Sequence, residues 1–140
     1  MFCHEGDTRI GARLSEKMGE VGMIRSYADL KVWQKGIELV KKVYRITRDF
    51  PKEEMYGLTN QMRRAAISIP SNIAEGKMRQ YLNEYTQFLY IALGSCAELN
   101  TQLIIAEELG YIFQGTKAEL CEEIDHISRM IRKLIKRIKE

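Results

Sequence analysis

The longest regular feature of the sequence is an apolar heptad pattern. It consists of Leu82, Tyr85, Leu89, Ala92, Cys96, Leu99, Leu103 and Ala106, which follow one another at alternating steps of three and four. Residues at this spacing lie on one side of an α-helix, and such a side packs against other helices. Asn83 and Gly110 are reasonable start and end signals for this helix. The pattern predicts a long core helix.

Three other segments are also amphipathic. The first, from about Tyr27 to Asp49, has two neighbouring stripes, one of Leu30, Trp33, Ile37, Val40 and Tyr44 and one of Val32, Leu39, Val43 and Ile46. The second, from about Glu54 to Glu75, carries Leu58, Met62, Ala65, Ile69 and Ile73. The last carries Leu120, Ile124, Ile127, Ile131, Leu134 and Ile138. Each spacing is that of a helix with one covered face.

Prolines and glycines suggest where these helices end. Phe50 precedes Pro51 and is disfavoured from helical geometry, so the first helix is expected to close there. Pro70 is expected to bend the second helix or to end it early, and Gly76 to cap its carboxyl end.

Length and connections define the architecture. A chain of 140 residues suits one domain, and four amphipathic helices with short connections predict an all-α, antiparallel up-down four-helix bundle over residues 25–140. Residues 1–24 lack periodicity and are interpreted as a flexible leader, with Met18 and Met23 as alternative starts. A helical repeat array is the competing architecture, but no internal repeat of suitable length is visible.

No pattern in the sequence indicates catalysis. His4 and His126 are the only histidines, and Glu123-x-x-His126 occurs without the second copy that a di-metal bundle needs. Phosphate-binding and dinucleotide-binding motifs are absent. Cys3, Cys96 and Cys121 are widely spaced, which favours reduced thiols in a cytoplasmic protein. We therefore expect no enzyme activity, no cofactor and no metal, and the lack of a long uncharged apolar run predicts no membrane span.

The net charge of +3 is modest, but the charges are segregated by helix. Residues 81–116 contain glutamates and no lysine or arginine, whereas the first and last helices are basic. Seven basic residues are candidates for phosphate contacts with RNA or DNA: Arg45, Arg48, Arg129, Arg132, Lys133, Lys136 and Arg137. A solvated basic surface is the alternative, because stacking aromatic residues are sparse there and no base-reading motif is present.

A polar layer is predicted between the second and third helices. Ser95, Glu98 and Gln102 interrupt a second, otherwise apolar seam of the third helix. A buried carboxylate needs a partner, so Glu98 is predicted to pair with Arg63 or Arg64, within one subunit or across a subunit contact. The alternative is that this seam faces water. Apolar residues on two faces of the first and third helices predict an oligomer.

The same residues carry a family resemblance. Asp29-Leu30 with Trp33, Phe50-Pro51, Tyr56-Gly57-Leu58 and above all Ser68-Ile-Pro-Ser-Asn-Ile-Ala-Glu-Gly76 make the chain similar to the bacterial four-helix-bundle proteins encoded in intervening sequences of 23S ribosomal RNA genes. The similarity spans about residues 25 to 138. It implies a ring-like homopentamer without known enzymatic activity.

A related accessory protein of retroelements is similar too, which implies nucleic acid and a reverse transcriptase as partners. Our leading hypothesis from the sequence is a non-catalytic, oligomeric, nucleic-acid-associated accessory protein. Its rival is a protein-interaction scaffold whose basic faces only keep it soluble.

Overall fold

The structure, a computed structural model, describes Ser26, Tyr27 and residues 30–140. This part of the chain contains four α-helices and no strand. They are α1 (Lys31–Thr47), α2 (Leu58–Lys77), α3 (Leu82–Glu108) and α4 (Gln114–Lys139), with a short 3-10 helix (Lys52–Glu54) between α1 and α2. The leader predicted for residues 1–24 lies outside the described residues.

The helices run up and down in chain order, and α4 closes the bundle by packing on α1. The direction follows from the residues that meet between neighbours. Ser68 of α2 contacts Ser95 of α3, while the later Gly76 approaches the earlier Tyr85 and Phe88. On α4, Lys117 meets Glu107 of α3, and Lys139 meets Tyr90. The predicted all-α, antiparallel up-down four-helix bundle is confirmed.

The heptad pattern of α3 forms one side of the core as predicted. All its members are buried except Leu82, which lies in the first turn and is 63% exposed. On α1 the core side consists of Val32, Leu39 and Val43, whereas the stripe of Trp33, Val40 and Tyr44 is only half-buried. Gly36 lets this side of α1 approach α2 closely, because a Cβ at this position would lie only 3.2 Å from Cβ of Pro70 on α2.

The ends of α1 and α2 differ from the sequence prediction. α1 begins at Lys31 and ends at Thr47, inside the predicted Tyr27–Asp49 limits. Pro70 does not end α2, which continues to Lys77. Gly76 does not cap this helix either. It lies within the last turn, where a Cβ would come within 2.8 Å of Phe88 Cβ, so its role is close packing against α3.

The carboxyl end of α3 agrees with the sequence. Gly110 has a φ of 79°, a conformation that glycine adopts without a steric penalty. Its N–H donates to the Glu107 carbonyl and the Tyr111 N–H to the Ala106 carbonyl, both at 2.9 Å, which is the Schellman arrangement. The amino-terminal cap position is Tyr81 rather than Asn83, and no side chain caps it.

Candidate functional site

Antiparallel packing collects basic residues at one end of the bundle. The carboxyl half of α4 lies beside the amino-terminal part of α1, since Lys35 and Arg129 line one surface groove together with Glu38, Glu122 and Glu123. It also lies beside the amino-terminal part of α3, where Lys139 contacts Tyr90. We call this region the basic end. The exposed cations that α1 and α4 contribute to it are Lys31, Lys35, Arg129, Arg132, Lys133, Lys136, Arg137 and Lys139.

The cations of α4 lie on the side opposite its core residues. Ile127, Ile131 and Ile135 are buried, while Arg129, Arg132, Lys133, Lys136 and Arg137 are all exposed. Within the described residues none of these five forms an ion pair; the pairs present are Lys41–Glu38, Lys42–Glu123 and Lys117–Glu107. Their charge is therefore available to an external anion.

Arg45 and Arg48, which the sequence grouped with the α4 cations, lie at the opposite end. They are exposed near the carboxyl end of α1, which packs beside the amino-terminal half of α4 through the Lys42–Glu123 pair. Carboxylates surround that end, among them Asp49, Glu53, Glu54, Glu107, Glu108 and Glu119. The predicted set of seven is therefore not one contiguous patch. The antiparallel direction of α1 relative to α4 places these two arginines at the other end of the bundle. Counting the charges of each helix separately does not reveal that direction.

A groove between α3 and α4 adds residues that sequence reasoning missed. It has a volume of about 470 Å³ and contains Tyr90 together with Arg132, Lys136 and Lys139. Nζ of Lys139 donates a hydrogen bond to the Tyr90 hydroxyl at 3.1 Å. The two residues are 49 positions apart. Their contact could be expected only once it is known that the start of α3 packs beside the end of α4.

The predicted polar layer is present in part. Ser95 and Gln102 are buried, and the Ser95 and Ser68 hydroxyls are 2.7 Å apart in a hydrogen bond between α3 and α2. Asn72 donates to Ser68 Oγ at 2.8 Å and extends this network. Glu98, however, is exposed. It lies one step further around α3, so the expectation of a buried carboxylate is wrong for the single chain.

Neither arginine of α2 pairs with Glu98 within the described part of the chain. Arg63 is half-buried and donates through Nε to Thr47 Oγ1 at 2.9 Å, with its guanidinium carbon 4.5 Å from the centre of the Tyr44 ring. Arg64 is exposed and lines the same surface groove as Glu98 without an ion pair. The intrachain pairing is wrong, because Arg63 is committed to α1. A pair across a subunit contact stays a prediction.

The outward side of α3 carries large apolar residues. Ile91, Ile104 and Ile105 are each exposed by 43% to 51%. By length and composition alone α3 could also cross a membrane, with a mean hydropathy of 1.3 over 18 residues. A core helix passes the same test, and the heptad side of α3 is the core of this bundle. The three isoleucines belong to the apolar surface of α3 that the bundle leaves exposed.

Of the histidines and cysteines named from the sequence, His126, Cys96 and Cys121 belong to the described residues, whereas His4 and Cys3 lie outside them. His126 is exposed, and Cys96 is buried, which raises the pKa of its thiol. Cys121 is half-buried, and burial raises its thiol pKa as well. Among the described residues, no three His, Cys, Asp or Glu side chains come together as a metal site.

The chain is similar to known proteins in both sequence and fold. The family model for the 23S rRNA-intervening sequence protein matches residues 28–133, and the chain belongs to that family. A solved structure of a protein of unknown function from the S23 ribosomal protein family of Bacteroides thetaiotaomicron is similar, with a TM-score of 0.68 and 21% identity. The match covers 75% of this chain and 98% of that one, and at this identity it supports the fold alone. Curated protein sequences include no significant match.

Proposed function

We propose that the chain is a non-catalytic, oligomeric accessory protein that binds nucleic acid through its basic end. One observation carries this proposal: the exposed cations of α4 gather at one end of the bundle and have no ion pair among the described residues. Unpaired cations on a rigid surface attract phosphates and release the counterions of a nucleic acid, a favourable step at low salt.

Helix chemistry explains only some of these cations. Basic residues in the last turn of a helix interact favourably with its dipole, and Lys136, Arg137 and Lys139 stand there on α4. Arg129, Arg132 and Lys133 lie further from the terminus, where the dipole effect is small. Solubility does not require their segregation either, since the other end of the bundle mixes both signs of charge. A polyanion partner accounts for the whole set.

Oligomerisation is supported by the outward side of α3. Ile91 and Ile105 are 14 positions apart, close to four helical turns, so they lie in one row with Glu98 between them. Burying these side chains against another copy is favourable by about 25 cal/mol for each Å² of apolar surface removed from water. Several basic ends in one assembly would bind one polyanion together, and weak single contacts would add through avidity.

A protein-interaction scaffold is the second candidate, and the groove between α2 and α3 favours it. Arg64 and Glu98 both line this groove without pairing, and Tyr56 beside them is 94% exposed. Tyrosine and arginine are both enriched in protein interfaces relative to the rest of a protein surface. On this alternative the basic end has no ligand of its own.

Binding measurements on the purified protein separate the two candidates. A structured RNA and a duplex DNA are titrated at several salt concentrations, and light scattering gives the mass of the free protein. The proposal expects binding to at least one of them at low salt, an affinity that falls as salt rises, and a mass above that of the monomer. Absence of binding at low salt, or an affinity independent of salt, would contradict it.

A further inference from the structure

The groove between α3 and α4 differs from the rest of the basic end because it contains an aromatic ring. Tyr90 comes from α3, and Arg132 and Lys136 come from α4. We propose that this groove binds an unpaired nucleotide of a nucleic-acid strand, with its base against Tyr90 and its phosphate against the two cations. The inference rests on the proposed function, since it names the ligand that the basic end takes.

The Tyr90 ring has a free face. It is 49% exposed, although its hydroxyl is held by Lys139. Nζ of Lys139 is 3.1 Å from the hydroxyl oxygen and 5.3 Å from the ring centroid, so the ammonium lies beside the hydroxyl edge and does not cover the face. The hydrogen bond orients the ring, and an oriented aromatic face loses little side-chain freedom when a flat ligand stacks on it.

The remaining walls of the groove suit a base and a phosphate at adjacent positions. Leu93 is half-buried and Ile135 is buried, and both line the groove as its apolar part. Arg132 and Lys136 stand four positions apart on α4, so they are neighbours on one helix face. A guanidinium and an ammonium at this spacing can share one phosphate. Glu140 also lines the groove and is the carboxylate there that opposes an anion.

An unpaired strand is the ligand that uses both kinds of contact. In a duplex the faces of the bases are stacked on each other and cannot reach a protein ring, whereas a single strand or a loop offers them. Two other tyrosines are exposed, Tyr56 by 94% and Tyr81 by 62%. Tyr56 lies in a groove that includes Glu98 and only one cation, Arg64. The groove of Tyr90, by contrast, combines a ring face with several cations.

The test compares strands that differ only in their bases. Fluorescence anisotropy measures binding of the full chain to an oligothymidylate, to an abasic strand of the same length and to a duplex, with an oligouridylate added to distinguish RNA from DNA. We expect the wild type to bind the oligothymidylate at least about five-fold more tightly than the abasic strand. Tyr90→Leu should remove this difference, whereas Tyr90→Phe, which keeps the ring, should retain it.

The matched control is Tyr56→Leu, which removes an exposed tyrosine at the other end of the bundle and should behave as the wild type. Thermal unfolding and light scattering confirm that each variant keeps its fold and mass. The inference is overturned if the wild type binds base-containing and abasic strands equally, or if the ratio of the two affinities is unchanged in Tyr90→Leu. Salt-dependent binding of the duplex in the same measurements would leave the proposed function intact. Absence of binding to every strand and duplex at low salt removes both.

Discussion

Tyr85 shows how one residue of the core responds to pH. Its ring is buried between α3 and the end of α2, and its hydroxyl has no hydrogen-bond partner within the described residues. Burial raises the pKa of this phenol to about 12. A phenol in the unfolded chain loses its proton near its ordinary pKa of 10, so between these values the folded state binds more protons.

We therefore expect Tyr85 to make the protein less stable as pH rises from 10 towards 12, by up to about 1.4 kcal/mol for each pH unit. Tyr85→Phe should remove this part of the pH dependence and cost little at neutral pH, because the lost hydroxyl has no partner. Urea unfolding at pH 8, about 10 and about 11 measures the effect, with Tyr81→Phe as an exposed control. Equal slopes for wild type and Tyr85→Phe would contradict it.

Two glycines in helices should respond to alanine with opposite signs. At Gly76 the new Cβ would meet Phe88 Cβ at 2.8 Å and Tyr85 Cδ1 at 2.9 Å, and overpacking of this kind costs about 1–3 kcal/mol. At Gly94 the Cβ would meet nothing within 4 Å, so the better helix propensity of alanine should stabilise the protein by about 0.5–1 kcal/mol. Urea midpoints of the two variants check both signs. A stabilising Gly76→Ala would show that α2 and α3 are not in close contact there.

At the scale of the helices, the sequence predicted periodicity better than it predicted faces. The α3 pattern has eight apolar members in one register, whereas its second seam is interrupted by Ser95, Glu98 and Gln102, and the uninterrupted side forms the core. α1 has two adjacent stripes of comparable apolarity, and propensity does not choose between them. The choice depends on the approach of α2 at Gly36 and Pro70, which is a tertiary contact. The prediction that Glu98 is buried is wrong for a related reason. Glu98 lies one position around α3 from the buried Ser95 and Gln102, and that small rotation exposes its side chain.

The outward side of α3 should control the oligomeric state. Ile105→Glu replaces an exposed isoleucine of the proposed contact with a second carboxylate one row position from Glu98, and burial of an unpaired charge is unfavourable. We expect the mass from light scattering to fall towards that of the monomer, with little change in the helical circular dichroism. Gln114→Glu adds the same charge at an exposed position of α4 and should keep the wild-type mass. An unchanged assembly in Ile105→Glu would place the subunit contact elsewhere.

At the scale of the whole molecule, the bundle converts charge segregated by helix into charge segregated by end. The sequence identified the basic half of α4, but it grouped Arg45 and Arg48 with it, because the relative direction of helices is not written in their composition. The antiparallel order instead brings Lys31 and Lys35 of α1 to the same end as α4's cations. Tyr90 and Lys139 come together for the same reason, which is why the groove between α3 and α4 could not be predicted residue by residue.

The most direct test of the account compares the salt dependence of nucleic-acid binding after charge removal at each end. One variant carries Lys133→Gln, Lys136→Gln and Arg137→Gln, and its partner carries Arg45→Gln and Arg48→Gln. For duplex DNA, each lost phosphate contact lowers the slope of log affinity against log salt by about 0.9. We expect the first variant to lose affinity and about two to three units of slope, and the second to stay near the wild type. Equal losses at both ends, or none at the basic end, would contradict the proposal.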